Sequence, residues 1–241
     1  MIILIACATF VATLLGGSFA LKHKDRLHLI LGFSAGAVIA VAFFDLMPEA
    51  LNLGGASFGI ANMTSVVALG FAGYMLLDRL ITLHHHEDED ESHEGHHESR
   101  GKLGAGSLSI HSFLDGAAIG LAFQVSAAVG AIVATAVLVH DFSDGINTVN
   151  LVLKNAGSKK QAFRWLLVDA LAPVVGVIST MFFTLPEATL GVVLAIFSGF
   201  FLYIGASDLL PESYHRHSTF WTTTMTILGM TVLFTAIRIA G

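Results

Sequence analysis

Apolar residues fall along this chain in eight long blocks, and the polar residues between them come in short, charged bursts. The blocks run over 2–21, 27–51, 60–83, 105–123, 127–153, 162–184, 188–214 and 220–239. About 20 apolar residues in an α-helix cross the hydrocarbon core of a bilayer. A helix also satisfies its own backbone polar groups where no water can. The pattern therefore predicts an all-α membrane protein with eight transmembrane helices.

Composition agrees with that reading. Of 241 residues, 54% are hydrophobic and only 12% charged, about half the charged share of a soluble domain. The net charge of −6 says little about partners, because seven of the 18 acids sit between Glu87 and Glu98. The single Cys7 excludes an internal disulfide. No Lys or Arg precedes the first apolar block, and Lys22, Lys24 and Arg26 follow it, the reverse of a secretory leader. If the chain starts outside, 11 of its 12 Lys and Arg residues lie on the cytoplasmic side, with Arg238 the exception. Both termini are thus expected outside, with the cell membrane as the location.

The polar residues inside the blocks carry the chemistry. His111-Ser112-Phe113-Leu114-Asp115-Gly116 is answered 29 residues later by His140-Asp141-Phe142-Ser143-Asp144-Gly145. Within each copy His and Asp are four apart, one above the other on a single helix face. Counted from the flanking Lys102 and Lys154, Asp115 and Asp144 both lie roughly 15–20 Å from the cytoplasmic edge. That depth is near the middle of a core about 30 Å thick. Unpaired charge there is costly, and one divalent cation satisfies two imidazoles and two carboxylates together. His111, Asp115, His140 and Asp144 are therefore the expected metal ligands. Ser112 and Asp141, in matching slots beside the histidines, are expected to serve a neighbouring ion or to orient the ligands. Imidazole with carboxylate suits Zn²⁺, Fe²⁺, Mn²⁺ or Co²⁺, while the lack of Cys or Met argues against Cu(I). Mg²⁺ favours oxygen ligands and its own waters.

A second repeat joins the helices of the second and seventh blocks. Asp45-Leu46-Met47-Pro48-Glu49 matches Asp208-Leu209-Leu210-Pro211-Glu212 at an offset of 163, which also aligns Gly36 with Gly199. Helices an odd number apart cross the membrane in opposite senses, as in carriers built from inverted repeats. The layout expected is 3+2+3, with helices 1–3 and 6–8 as the repeats around a central fourth and fifth pair. Asp45, Glu49, Asp208 and Glu212 become candidate path residues, with Asn147 one turn beyond Asp144. Asp169 either belongs to the path or fills the backbone gap opened by Pro173, four residues on. Ten of the 12 histidines lie at the expected cytoplasmic face. Six of them, His84, His85, His86, His93, His96 and His97, stand in the acid-rich stretch 84–100, which is expected to be disordered and to bind metal weakly.

The fourth block, His111 through Gly120, resembles the His-Asn-Phe-x-Asp-Gly-x-Ala-x-Gly motif of ZIP (Zrt- and Irt-like) metal transporters. Leu46 through Ala50 and Leu202 through Glu212 resemble that family's second and seventh helices. The resemblance covers the whole chain. It implies inward movement of Zn²⁺ or a related ion through a site on the fourth and fifth helices. It further implies that helices 1, 4, 5 and 6 move as a unit against 2, 3, 7 and 8. The chain departs from the family pattern at Ser112, where Asn is common, and at Asp45, where His is frequent. The fifth helix also lacks the usual His-Glu-x-x-His.

The organisation read from the chain is helices 1–3 over 1–83, a His- and acid-rich loop over 84–104, the metal-binding pair over 105–153, and helices 6–8 over 154–241. The function is transport of Zn²⁺, or else Fe²⁺, Mn²⁺, Co²⁺ or Cd²⁺, into the cytoplasm by alternating access. The metal is substrate and no catalytic cofactor is expected. An intramembrane zinc hydrolase is the alternative, since the ligands for a water-activating zinc are present. The partners are divalent metal ions and the lipid bilayer, with no nucleic acid, and a homodimer is compatible with the chain.

Overall fold

The computed structural model describes residues 1–21, 27–83, 94–155, 157–214 and 220–240. Each apolar block is helical, and no strand occurs among the described residues. The helices are α1 (Ile2–Ala20), α2 (27–58), α3 (Ile60–Leu83), α4 (Glu94–Val125), α5 (Ala127–Lys154), α6 (Lys159–Ser179), α7 (Glu187–Tyr214) and α8 (Phe220–Ala240). A 3₁₀ turn, Thr180–Phe182, prolongs α6. Each is long and apolar enough to cross a membrane.

Local chemistry sets several of the boundaries. Gly59, at φ 82°, is the one residue between α2 and α3, a conformation glycine adopts without steric penalty. Ser126 is the one residue between α4 and α5, and its hydroxyl accepts from the Val129 N–H at 3.1 Å as an N-cap. Ser158 and Gln161 form a capping box that starts α6. α4 begins at Glu94 rather than at the apolar boundary at Ala105. The stretch from Glu94 to Gly104, expected to belong to the loop, is therefore helical. It contains no proline, and the helix runs through Gly95, Gly101 and Gly104 past the point where hydrophobicity ends.

α2 and α7 are each interrupted at the repeated Asp-Leu-x-Pro-Glu motif. A π-helical turn, Ala42–Leu46, precedes Pro48, and another, Ile204–Leu209, precedes Pro211. The Met47 N–H reaches the Ala42 carbonyl and the Leu210 N–H reaches the Gly205 carbonyl. Proline removes a donor and crowds the turn before it, and the widened turn absorbs the mismatch.

The helices pack in two groups. α1, α4, α5 and α6 form one, and α2, α3, α7 and α8 the other. Four helix pairs within these groups repeat one contact. In each pair a glycine on either helix lies against the carbonyl three residues before its partner glycine. Gly16 meets Phe142 while Gly145 meets Thr13, and Gly116 meets Pro173 while Gly176 meets Phe113. Gly36 meets Thr226 while Gly229 meets Phe33, and Gly199 meets Val67 while Gly70 meets Ile196. None of these positions has room for a Cβ. Such close approach lets backbones pack and form Cα–H···O contacts where the hydrophobic effect gives no drive between helices.

Between the groups, side chains carry the contact. α2 lies on α5, where the Ser34 hydroxyl donates to the Val139 carbonyl at 3.0 Å and stands 3.2 Å from the Ser143 hydroxyl.

Candidate metal centre

The two copies of His-x-Phe-x-Asp-Gly converge. α4 and α5 are antiparallel neighbours, and the four-residue spacing stacks His over Asp on each. His111, Asp115, His140 and Asp144 are all buried, and one ligand atom from each lies within 4.8 Å of the others. His111 Nε2 is 3.1 Å from Asp115 Oδ2 and 3.6 Å from Asp144 Oδ2. His140 Nε2 is 3.1 Å from Asp115 Oδ2 and 3.8 Å from Asp144 Oδ2. A tetrahedral ion with bonds of about 2.0–2.1 Å needs ligand atoms about 3.3–3.4 Å apart. The four His–Asp separations bracket that edge length and the remaining two are within 4.8 Å, so the cluster is compatible with a metal site.

Each ring has a second partner that aims it. His140 Nδ1 is 2.9 Å from the Ala136 carbonyl. A carbonyl only accepts, so Nδ1 carries the hydrogen and Nε2 is the nitrogen presented to the carboxylates. His111 Nδ1 is 3.1 Å from the Tyr74 hydroxyl. Asp144 Oδ2 is buried with no hydrogen-bond partner among the described residues, the condition of a ligand atom aimed at an ion.

The weaker candidates divide. Asp141 is fully buried and neither of its carboxylate oxygens has a hydrogen-bond partner among the described residues. Ser112 donates to Asp169 Oδ1 at 2.9 Å, and Thr148 donates to Asp169 Oδ2 at 2.8 Å. Asp169 therefore does not fill the backbone gap at Pro173. Its carboxylate ties α6 to α4 and α5 immediately beside the two motifs. Asn147 is partly buried on α5.

The four residues of the Asp-Leu-x-Pro-Glu repeat lie away from this cluster in sequence and differ in exposure. Asp45 is buried, and its Oδ2 has no partner among the described residues. Glu49 is partly buried, while Asp208 and Glu212 are exposed. His84, His85, His86 and His93 lie outside the described residues. Of His96 and His97 only the backbone, in the first turns of α4, is described.

A cleft lined by aromatic and acidic side chains, not legible in the sequence, opens beside His111. Tyr74, Asp78, Ser107, Ile110 and Leu114 line it with His111, between α3 and α4. The Tyr203 hydroxyl donates to Asp78 Oδ2 at 2.8 Å. A Tyr and an Asp four apart on α3 was the available signal, hidden because a tyrosine near a helix end also fits an interfacial anchor.

Comparison with known proteins bears on the same region. The profile of the family described as ZIP Zinc transporter matches residues 103–236, which take in both motifs and extend into α8. The zinc transporter ZupT of Corynebacterium aurimucosum is 27% identical over 84% of this chain and 83% of its own length. The zinc transporter ZupT of Streptococcus mutans is 26% identical over 83% of this chain and 82% of its own. The zinc transporter ZIP10 of Danio rerio is 34% identical over 45% of this chain and 13% of its own length.

Proposed function

This chain belongs to the ZIP zinc transporter family, and on that premise we propose that it carries Zn²⁺ into the cytoplasm through a site made by His111, Asp115, His140 and Asp144. It is an integral membrane metal transporter, and membership in a family of transporters removes the hydrolase alternative. The observation that carries the proposed site is the spacing of the four ligand atoms, which suits a tetrahedral ion in a buried pocket holding two carboxylates. The imidazole and carboxylate set also admits Fe²⁺, Mn²⁺, Co²⁺ or Cd²⁺. Asp141, buried with no hydrogen-bond partner among the described residues, and the linked pair Ser112 and Asp169 serve a neighbouring ion beside the ligands.

Transport proceeds by movement of α1, α4, α5 and α6 against α2, α3, α7 and α8. Support comes from where the backbones touch. The reciprocal glycine contacts all lie within one group or the other, so each group is fitted to move as a rigid body. The same contact joins α1 to α5 as joins α6 to α4, and α2 to α8 as α7 to α3. That pairing is the one an inverted repeat of helices 1–3 and 6–8 requires. The paired π turns at Pro48 and Pro211 add to it.

Inward direction is taken from the resemblance of the chain to inward metal carriers. The two repeated acids differ in surface exposure, Asp45 buried and Asp208 exposed. The distribution of Lys and Arg supports an orientation with Asp208 toward the cytoplasm and both termini outside, and the cell membrane is the proposed location. Glu49, Glu212 and Asn147 belong to the approaches, and the stretch of six histidines to a cytoplasmic metal-responsive segment.

Uptake of ⁶⁵Zn²⁺ into proteoliposomes holding the purified full-length protein tests the proposal. Time-dependent accumulation that unlabelled Zn²⁺ competes away is expected. Accumulation no greater than in protein-free vesicles overturns it.

A further inference from the structure

The ring of His111 is held from the opposite helix group. Tyr74 lies on α3, and its hydroxyl is 3.1 Å from His111 Nδ1. The two rings meet edge to face, with centroids 5.9 Å apart and planes at 79°. Tyr74 is itself fixed by α7, packing against Phe200 at 5.2 Å and Tyr203 at 5.5 Å between centroids. It is thus part of the α2, α3, α7 and α8 group, while His111 belongs to the other.

We propose that Tyr74 is a positioning residue for the metal: it accepts a hydrogen bond from His111 Nδ1–H, which leaves the Nε2 lone pair facing Asp115, His140 and Asp144. An imidazole binds metal through one nitrogen, and the partner of the other decides which one. His140 obtains this setting from the Ala136 carbonyl on its own helix. His111 obtains it from a residue across the group boundary. The two ligands therefore differ in what movement does to them. His140 keeps its partner wherever α5 goes, whereas His111 keeps Tyr74 only in arrangements that hold α4 beside α3. Sliding one group past the other breaks the Tyr74 contact, frees the His111 ring to turn and lowers the affinity of the site. Affinity is in this way tied to arrangement, and this consequence rests on the proposed movement of the two groups.

Equilibrium competition with a chromophoric Zn²⁺ chelator tests the assignment on the purified full-length protein in detergent. Ser at His84, His85, His86, His93, His96 and His97 silences the histidine stretch. Tyr74→Phe, which keeps the ring and loses the hydroxyl, is expected to weaken Zn²⁺ binding roughly 10- to 100-fold, the range for partners that orient metal ligands. Tyr214→Phe removes a hydroxyl that lies 3.0 Å from the Thr223 hydroxyl instead and is expected to leave affinity within about twofold. In a His111→Ala background, Tyr74→Phe is expected to have no further effect, which a general loss of folding would not reproduce. In proteoliposomes Tyr74→Phe is expected to raise KM without lowering the maximal rate per folded protein. Unchanged affinity in Tyr74→Phe, or an undiminished loss in the His111→Ala background, overturns the assignment. Binding is read without transport, so failure of the parent protein to take up Zn²⁺ is a separate outcome that overturns the transport reading alone.

Discussion

His140 Nε2 lies 3.1 Å from Asp115 Oδ2, a residue 25 positions earlier on the neighbouring helix, and 3.8 Å from Asp144 on its own. The repeated motif does not make two separate His-Asp pairs. Asp115 stands equally near both imidazoles, at 3.1 Å each, and is the hinge of the cluster.

Removal of either member of that contact leaves the others with uncompensated buried charge and one ligand short. Asp115→Ala and His140→Ala are each expected to lower ⁶⁵Zn²⁺ uptake at least tenfold at normal amounts of membrane-inserted protein. Uptake rates in proteoliposomes, normalised to reconstituted protein, give the comparison. Parental rates in either variant would remove these residues from the site.

The reciprocal glycines make a stability prediction. Gly176 lies against the Phe113 carbonyl and Gly36 against the Thr226 carbonyl. Added side-chain volume at such a contact costs about 1–3 kcal/mol. Gly176→Val and Gly36→Val are expected to lower the unfolding temperature of the detergent-solubilised protein, read by fluorescence-detected size exclusion after heating. Gly73 has nothing within 4 Å of a Cβ, so Gly73→Ala is expected to melt with the parent. Equal melting of all three variants would show that the close approaches do not hold the groups together.

The histidine stretch is proposed to act in regulation rather than in the transport path. Replacing His84, His85, His86, His93, His96 and His97 with Ser is expected to keep the initial rate of uptake within about twofold, while blunting its response to metal pre-loaded on the cytoplasmic side. Abolished uptake would move the stretch into the transport path.

Topology can be read by thiol labelling. Cys7 is the only cysteine in the chain, so Cys7→Ser supplies a background for Glu49→Cys and Glu212→Cys. An impermeant maleimide applied to intact cells is expected to label position 49 and to reach position 212 only after the membrane is opened. Labelling of both from one side contradicts the inverted repeat.

Much of this arrangement was legible in the chain, because a bilayer imposes length and hydropathy on every helix it contains. The eight helices and the convergence of His111, Asp115, His140 and Asp144 followed from block length and a four-residue spacing. The start of α4 at Glu94 was not legible, since a helix continuing into water needs no apolar signal. The π turns at Ala42–Leu46 and Ile204–Leu209 were equally hidden. Pro48 and Pro211 announced a disturbance without specifying whether the helix would kink, stop or widen. The true partners of Asp169, Ser112 and Thr148, lie on two other helices. Only packing could reveal that Pro173 was irrelevant to its carboxylate. Tyr74 was hidden for a similar reason, as its hydroxyl matters only through a ring 37 positions away.

Ser126, the lone residue joining the two ligand-bearing helices, limits how the proposed site can adjust to ions of different radius. One residue of extended chain reaches at most about 3.6 Å, so the joined ends of α4 and α5 form a fixed pivot. The helices cannot translate apart to admit a larger ion. They can only splay about that end or leave the adjustment to side-chain rotation. The pair behaves as a calliper with a closed joint, and lengthening the joint with inserted glycines would relax discrimination between Zn²⁺ and the larger Cd²⁺ before it reduced binding of either.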